Sequence, residues 1–141
     1  MPLHAKAEQT LSSWHRMVAA RDLSQVASLC GPQAVFRSPV AFTPYRGADL
    51  VAAFLQQAVQ AFQEFQYHRT FISGDHSVVL EFSARVGDKE LKGIDMIRFD
   101  QLGRIEEFEV MVRPASGLQV LGAEMARRMG PILAARQEGP R

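Results

Sequence analysis

The sequence predicts an α+β domain in which helices come first and an antiparallel sheet follows. Apolar residues recur at three- and four-residue spacing in the first part of the chain, and from about residue 65 to residue 113 the period changes to two. A chain of 141 residues that is 47% hydrophobic has the length and apolar content of one domain with one core. No internal repeat or linker divides it.

The first part of the chain predicts two helices and a brief strand. Apolar side chains at helical spacing indicate an amphipathic helix over residues 3–20; they are Leu3, Ala7, Leu11, Trp14 and Val18. Asp22 or Ser24 caps a short second helix, which ends at Gly31-Pro32. Residues 34–38 then predict a short strand.

A loop and a third helix come next. Two prolines and Gly47 indicate that residues 39–46 lack regular structure, and Gly47 or Asp49 begins a helix through about Phe62. Four strands follow, over residues 65–72, 77–86, 89–99 and 104–113, joined by turns. We expect them to form an antiparallel meander.

The C-terminal part predicts a last helix. Ser116-Gly117-Leu118-Gln119 has the form of a capping box, and Leu118, Leu121, Met125 and Met129 form an apolar stripe that we expect to cover part of the core or pocket. Gly130-Pro131 is expected to break this helix. We therefore expect a single domain over residues 1–135 and a disordered tail over residues 136–141.

Composition excludes several kinds of partner. The 16 basic and 15 acidic residues are interspersed, so the basic patch of a nucleic-acid binder is absent. No apolar run approaches the roughly 20 residues of a membrane span, and the N-terminus lacks the apolar core of a signal peptide. We expect a cytoplasmic protein without nucleic-acid or membrane partners. The single Cys30 indicates a buried small hydrophobe and not a nucleophile.

Asp95 is the candidate functional residue because it interrupts an apolar strand. Alternation along residues 89–99 places its side chain on the same face as Leu91, Ile97 and Phe99, which is the core side. Burying a carboxylate costs several kcal/mol unless it is hydrogen-bonded or protonated. The acid therefore either has a donor such as Trp14, Tyr45 or Tyr67 and holds the scaffold, or serves a ligand with a raised pKa.

The order of elements resembles the nuclear transport factor 2-like superfamily, whose cone-shaped fold wraps a curved sheet around N-terminal helices and encloses a pocket. Two segments are similar to ketosteroid isomerase: the one from Asp22-Leu23 through Pro39-Val40, with Pro44, Gly47 and Phe54 after it, and the one from Gly93 to Phe99. This resemblance implies that Asp95 matches the protonated aspartate that, together with a tyrosine, donates to a developing oxyanion in that family.

Trp14 and Ser38 stand where that family has its tyrosine and its proton-moving aspartate. A serine without an adjacent base cannot take a proton from carbon at neutral pH, and an indole N–H can only donate. Trp14 is therefore either a core aromatic or a ligand donor, and Ser38 either a strand-end hydroxyl or a site residue. Polyketide cyclases of the SnoaL-like type need little more than one acid in an apolar pocket, which this chain supplies.

We expect an apolar pocket whose polar focus is Asp95. The residues expected to bind the ligand are Trp14, Phe36, Ser38, Phe54, Tyr67, Leu80, Phe82, Ile97, Phe108 and Val110. On the first long strand we expect Phe65, Tyr67 and Phe71 to face the cavity, and Arg37 and Arg46 to flank its mouth. Such a pocket suits a small, mostly apolar molecule with a carbonyl or hydroxyl group.

Two functions remain open at this point. The first is an isomerase-like or cyclase-like enzyme that uses Asp95 as an acid or oxyanion donor. The second is a dimeric small-molecule-binding or stress-type protein that keeps the pocket without the chemistry. No metal is expected because the histidines lack ligand spacing, and no cofactor is expected.

The outer face of the predicted sheet indicates a homodimer. Ile94, Met96, Ile105 and Met111 alternate with the core-facing residues and are expected to form an exposed apolar patch, with Arg85, Arg98, Glu107 and Glu109 as a polar rim.

Overall fold

The computed structural model describes residues 2–138. Its helices are α1 (Ala5–Ala20), a 3₁₀ helix (Val26–Leu29), α2 (Ala48–Ala61) and α3 (Ala115–Glu138). Its strands are β1 (Cys30–Arg37), β2 (Tyr45–Arg46), β3 (Gln63–Ser73), β4 (Ser77–Val86), β5 (Lys89–Phe99) and β6 (Ile105–Arg113). The helices cover one face of a curved sheet, so the expected α+β cone is confirmed.

The six strands form one sheet in the order β2-β1-β6-β5-β4-β3. The expected antiparallel meander of β3 to β6 is confirmed, and Asp95 lies between Leu80 of β4 and Val110 of β6. The sheet as a whole is mixed, because β1, which precedes the meander in the chain, pairs with β6 in parallel. No hairpin joins these two strands, so turn geometry does not impose an antiparallel pairing on them.

Two predictions around β1 are corrected. The strand begins at Cys30 and not at residue 34, and Pro32 is accommodated where the pairing with β6 is shifted between Cys30 and Val35. The loop expected over residues 39–46 ends in the short strand β2, in which Tyr45 pairs with Phe36. This edge strand forms after Pro44, where the missing N–H of proline no longer interrupts the ladder.

The C-terminal helix is longer than predicted. The expected break at Gly130-Pro131 does not occur, since α3 continues through Pro131 to Glu138. A proline removes one backbone donor, but Ile132 and Leu133 beyond it pack against the core and hold the last turns in place. Of the tail expected to be disordered, residues 136–138 are helical and residues 139–141 lie outside the described residues.

The concave face of the sheet carries the core. Leu80, Phe82 and Phe108 have exposed fractions of 0%, 0% and 1%, and they pack beneath the helices. Leu121 and Met129 of α3 are also buried, which confirms that this helix rests on the core. Cys30 is buried as expected, and burial raises the pKa of its thiol to about 11.

Register shifts reverse two of the predicted side-chain orientations. The pairing of β5 with β6 shifts between Arg98 and Phe99, so Ile105 lies opposite Phe99 and is fully buried instead of facing outward. The pairing of β3 with β4 shifts between Tyr67 and Thr70, and Phe71 is 49% exposed beneath the guanidinium of Arg69. An extra residue in a strand reverses the alternation beyond it.

Gly93 on β5 has no room for a side chain. A Cβ at this position would lie 2.6 Å from Cζ of Phe82 and would collide with the carbonyl oxygen of Met111 on β6. We expect Gly93→Ala to lower the free energy of unfolding by about 1 to 3 kcal/mol, because overpacking a rigid core costs that much. Urea unfolding measures this change.

The control is Gly31→Ala on β1, where the nearest atom to an added Cβ lies 3.5 Å away, an ordinary contact. This variant should unfold at nearly the wild-type denaturant concentration. Equal midpoints for the two variants would show that the close approach at Gly93 does not constrain the sheet.

Candidate functional site

A cavity of about 330 Å³ lies between the concave face of the sheet and the helices. Aromatic rings form much of its wall: Phe36 and Phe54 are stacked with centroids 4.9 Å apart, and Tyr45 lies 4.4 Å from Phe54. An apolar cavity of this kind, with few polar groups, is the usual form of a small-molecule site.

Most of the predicted site residues lie in this wall. They are Trp14, Phe36, Ser38, Phe54, Tyr67, Asp95, Phe108 and Val110. Leu80, Phe82 and Ile97 do not line the cavity, because they are packed into the core clusters beneath the helices. Strand alternation identifies the inner face of the sheet but not which part of that face remains uncovered.

Sequence reasoning placed Phe54 of α2 in the cavity and expected the stripe of α3 to cover part of the core or pocket, but it did not identify the rest of the wall that these helices form. The other wall residues are Leu55, Ala58 and Val59 of α2, Phe62 directly after α2, and Gly122, Ala126, Gly130 and Leu133 of α3, beside the stripe residues Leu121, Met125 and Met129. The apolar stripe of α3 was the available signal, since its members Leu121, Met125 and Met129 reach both the core and the cavity. Val40, from the loop after β1, lies beside Gly122 on the same wall.

Asp95 is the polar centre of the cavity. It is 6% exposed, and its Oδ2 accepts a hydrogen bond of 2.6 Å from the hydroxyl of Tyr67. No hydrogen bond within residues 2–138 engages its Oδ1. Burial raises the pKa of this carboxyl to about 7, and the hydrogen bond from Tyr67 offsets part of that rise. Both protonation states are therefore populated near neutral pH.

Tyr67 is held in place by Trp14. The indole N–H of Trp14 donates to the Tyr67 oxygen over 3.0 Å, so Trp14 is a buried aromatic that also supplies a donor. Burial and the nearby carboxyl of Asp95 raise the pKa of Tyr67 well above its usual value. His15 on α1 packs edge-on against the Tyr67 ring, and burial lowers the pKa of its imidazole. At neutral pH this histidine is uncharged.

Within residues 2–138, Ser38 and the two arginines expected at the mouth of the cavity do not hydrogen-bond to Asp95. The Ser38 hydroxyl accepts a hydrogen bond of 3.1 Å from the backbone N–H of Val40, which is the local strand-end role. Arg37 pairs with Glu107 at 3.5 Å, and Arg46 is exposed. Neither arginine is among the residues that line the cavity.

Within the described residues 2–138, no three His, Cys, Asp or Glu side chains are grouped closely enough to hold a metal ion. Over the same range, no helix is both long and apolar enough to cross a membrane. The absence of a metal, a cofactor and a nucleic-acid partner, and the cytoplasmic location, stay predictions.

The helices over a curved sheet, the apolar cavity between them and the acid on the inner face define a nuclear transport factor 2-like protein. Residues 11–108 match the model of the SnoaL-like domain. The chain belongs to the SnoaL-like family. A search of curated proteins gave no match.

Solved structures agree with this assignment. A steroid delta-isomerase from Pseudomonas aeruginosa is 59% identical, with a TM-score of 0.91 over 96% of this chain and 99% of that one. An uncharacterized bacterial protein with a cystatin-like fold, from Silicibacter pomeroyi, is 30% identical with a TM-score of 0.83, over 91% of this chain and 90% of that one. An NTF2-like protein from Mesorhizobium loti is 16% identical with a TM-score of 0.69, over 81% and 100% of the two chains, and shows the fold alone.

The raised pKa of Asp95 makes stability depend on pH. Between the unfolded value of about 4 and the folded value of about 7, the native state binds more protons than the unfolded chain. The contribution of Asp95 to the free energy of unfolding should therefore fall by roughly 1.4 kcal/mol for each pH unit across this window. Asp95→Asn should remove this slope and leave the protein at least as stable at pH 8.

Carbon-detected NMR of the Asp95 carboxyl and urea unfolding at several pH values provide the measurements. A pKa at or below the unfolded value, or a slope that persists in Asp95→Asn, would contradict the interpretation of Asp95 as a desolvated acid.

Proposed function

We propose that this protein is an acid–base enzyme that binds a small, flat, mostly apolar molecule with a carbonyl group and uses Asp95 to move a proton on it. The observation that carries the proposal is a buried carboxyl with a pKa of about 7 in the wall of an apolar cavity, with one oxygen held by Tyr67 and the other free. A group with a pKa near the working pH is the most effective proton carrier.

The chemistry follows from the small number of titratable groups. Among the described residues that line the cavity, Asp95 is the single carboxyl, and no histidine, lysine or cysteine lies beside it. Burial raises the pKa of Tyr67 well above its usual value, so its phenol keeps its proton at neutral pH. One carboxyl must therefore both take and return the proton. Ionised Asp95 accepts a proton from the carbon next to the substrate carbonyl, and the substrate becomes an enolate. Neutral Asp95 then returns this proton to a different carbon of the enolate.

This cycle moves a double bond without a net change in protons. It suits an isomerase, and a steroid delta-isomerase is the named activity of the 59% identical relative. A cyclase of the SnoaL-like kind can use the same single acid when the substrate carries its own nucleophile. Ser38 gives no support to a second base, since its hydroxyl accepts from the backbone of Val40.

A binding protein without catalysis is the second candidate. It is supported by the hydrogen bond of Tyr67 to Asp95, which also satisfies a structural carboxyl. The two candidates differ in whether the free oxygen of Asp95 exchanges a proton with the bound molecule.

A β,γ-unsaturated 3-ketosteroid tests the proposal, because its conversion to the conjugated enone is visible in ultraviolet absorbance. We expect the wild-type protein to catalyse the shift and Asp95→Asn to lower kcat by about 100-fold to 10,000-fold, the usual contribution of a general acid–base group. The matched control is Asp88→Asn, an exposed carboxylate in the turn between β4 and β5, which should keep wild-type kcat.

Binding of the same steroid is followed through the fluorescence of Trp14, the single tryptophan. Binding without any conversion above that of Asp95→Asn would favour the second candidate and refute isomerisation of this substrate class.

We also propose that two copies of the chain pair through the outer face of the sheet. Met96 and Met111 are 36% and 46% exposed on this face. Ile105 was expected in the apolar patch but is buried, and Phe71, which is 49% exposed, adds apolar surface in its place. Arg98 pairs with Glu106 at 3.0 Å and with Glu107 at 3.2 Å beside this patch, in keeping with the expected polar rim. An exposed apolar patch with a polar rim is typical of an interface.

We expect Met96→Glu to convert a dimer into a monomer at micromolar concentration, because a charge at the centre of an apolar interface loses its hydration. Sedimentation velocity measures the change. Leu102→Glu is the control, since this leucine is 57% exposed but lies in the turn between β5 and β6. A wild-type protein that already sediments as a monomer would refute the pairing.

A further inference from the structure

Trp14, Tyr67 and Asp95 form a hydrogen-bonded chain built from three elements, α1, β3 and β5. The two links are 3.0 Å from the Trp14 nitrogen to the Tyr67 oxygen and 2.6 Å from that oxygen to Asp95 Oδ2. Trp14 and Tyr67 are 53 positions apart in the sequence, and Tyr67 and Asp95 are 28 positions apart. The fold thus brings distant residues into hydrogen-bonding contact.

The chemistry of the indole gives this chain a direction. An indole nitrogen donates and cannot accept, so the Tyr67 oxygen must be the acceptor of the first link. When Asp95 is ionised, its oxygens can only accept, and the single proton of the Tyr67 hydroxyl must therefore point to Oδ2. Both partners of Tyr67 are then fixed, and Oδ1 is left to the cavity.

We propose that Trp14 is a positioning residue that acts through Tyr67: its N–H holds the phenol proton on Asp95 Oδ2, so that Oδ1 is the atom that exchanges a proton with the bound molecule. The proposal rests on the proposed function for its catalytic consequence. The hydrogen-bonded chain itself is a property of the protein without substrate and can be tested without turnover.

Trp14 polarises the hydroxyl of Tyr67, because its N–H donates to the hydroxyl oxygen. The strand neighbours of Asp95 are Leu80 on β4 and Val110 on β6, which carry no charge. The titratable group packed against Tyr67 from α1 is His15, whose lowered pKa keeps it neutral near pH 7. A donor hydrogen bond to a hydroxyl oxygen strengthens the bond that the same hydroxyl donates, so Trp14 should assist Tyr67 in stabilising ionised Asp95.

A double-mutant cycle tests this coupling through the pKa of Asp95, measured by carbon-detected NMR in the protein without ligand. Trp14→Phe keeps a ring against Phe108 but removes the N–H, and Tyr67→Phe removes the hydroxyl. We expect the pKa to rise in each single variant, and we expect the double variant to match Tyr67→Phe. A Trp14→Phe shift of equal size in both backgrounds, or no shift at all, would overturn the proposal.

Phe108→Leu is the control for packing. Phe108 contacts the Trp14 ring edge-on at 5.2 Å but has no polar atom, so its loss reduces burial without removing a hydrogen bond and should not raise the pKa of Asp95. A shift as large as that of Trp14→Phe would assign the effect to packing and refute the role of the N–H.

A second measurement uses the wild-type protein, in case Trp14→Phe does not fold. Trp14 is the single tryptophan, so its indole N–H gives one resolved nitrogen–proton signal. We expect this signal to titrate with the midpoint of Asp95 and to lose that titration in Tyr67→Phe. A signal that is insensitive to Asp95 in the wild type would refute the coupling.

Turnover separates this proposal from the proposed function. In an active protein, Trp14→Phe should move the pH midpoint of kcat/KM upward with the Asp95 pKa, whereas loss of structure alone lowers the rate at every pH. NMR coupling without turnover would support the positioning role of Trp14 in the free protein and count against the enzyme.

Discussion

The desolvated carboxyl of Asp95 is the constraint on which the site depends. A carboxylate on the apolar inner face of a sheet is costly to bury unless it accepts hydrogen bonds. Tyr67 donates one hydrogen bond to Asp95, and burial raises the pKa of the carboxyl to about 7. That donor is itself held by Trp14. The fold thus places α1 and β3 where they can satisfy an acid on β5, and leaves one oxygen of that acid open to the cavity.

Much of the fold was predictable because it depends on local periodicity. The boundaries of β4 and β5 agree with the structure, and alternation placed Asp95 correctly on the buried face of β5 with Leu91, Ile97 and Phe99. The errors and omissions arose where local pattern carries no information. The bulges that bury Ile105 and expose Phe71 add a residue without a sequence signal, and the parallel pairing of β1 with β6 joins segments far apart in the chain.

The site was less predictable than the fold for the same reason. Alternation along the strands identified the residues on the inner face of the sheet. Whether such a side chain lines the cavity depends on how far each helix covers the sheet. Phe82 is covered by Phe62, Phe65 and Leu121 and belongs to the core, whereas Phe108 reaches the cavity. Tyr67 was one of several possible donors to Asp95, and only the three-dimensional arrangement of β3 and β5 distinguishes it from Tyr45.

The long C-terminal helix has a consequence for how the cavity comes into being. Leu121, Met125 and Met129 complete an apolar wall whose other parts come from the preceding residues of the chain. Ribosomal synthesis runs from the N-terminus to the C-terminus, so this wall is the last part of the cavity to be made. The cavity therefore has its complete wall only once α3 has been made and docked, and its closure is coupled to completion of the domain.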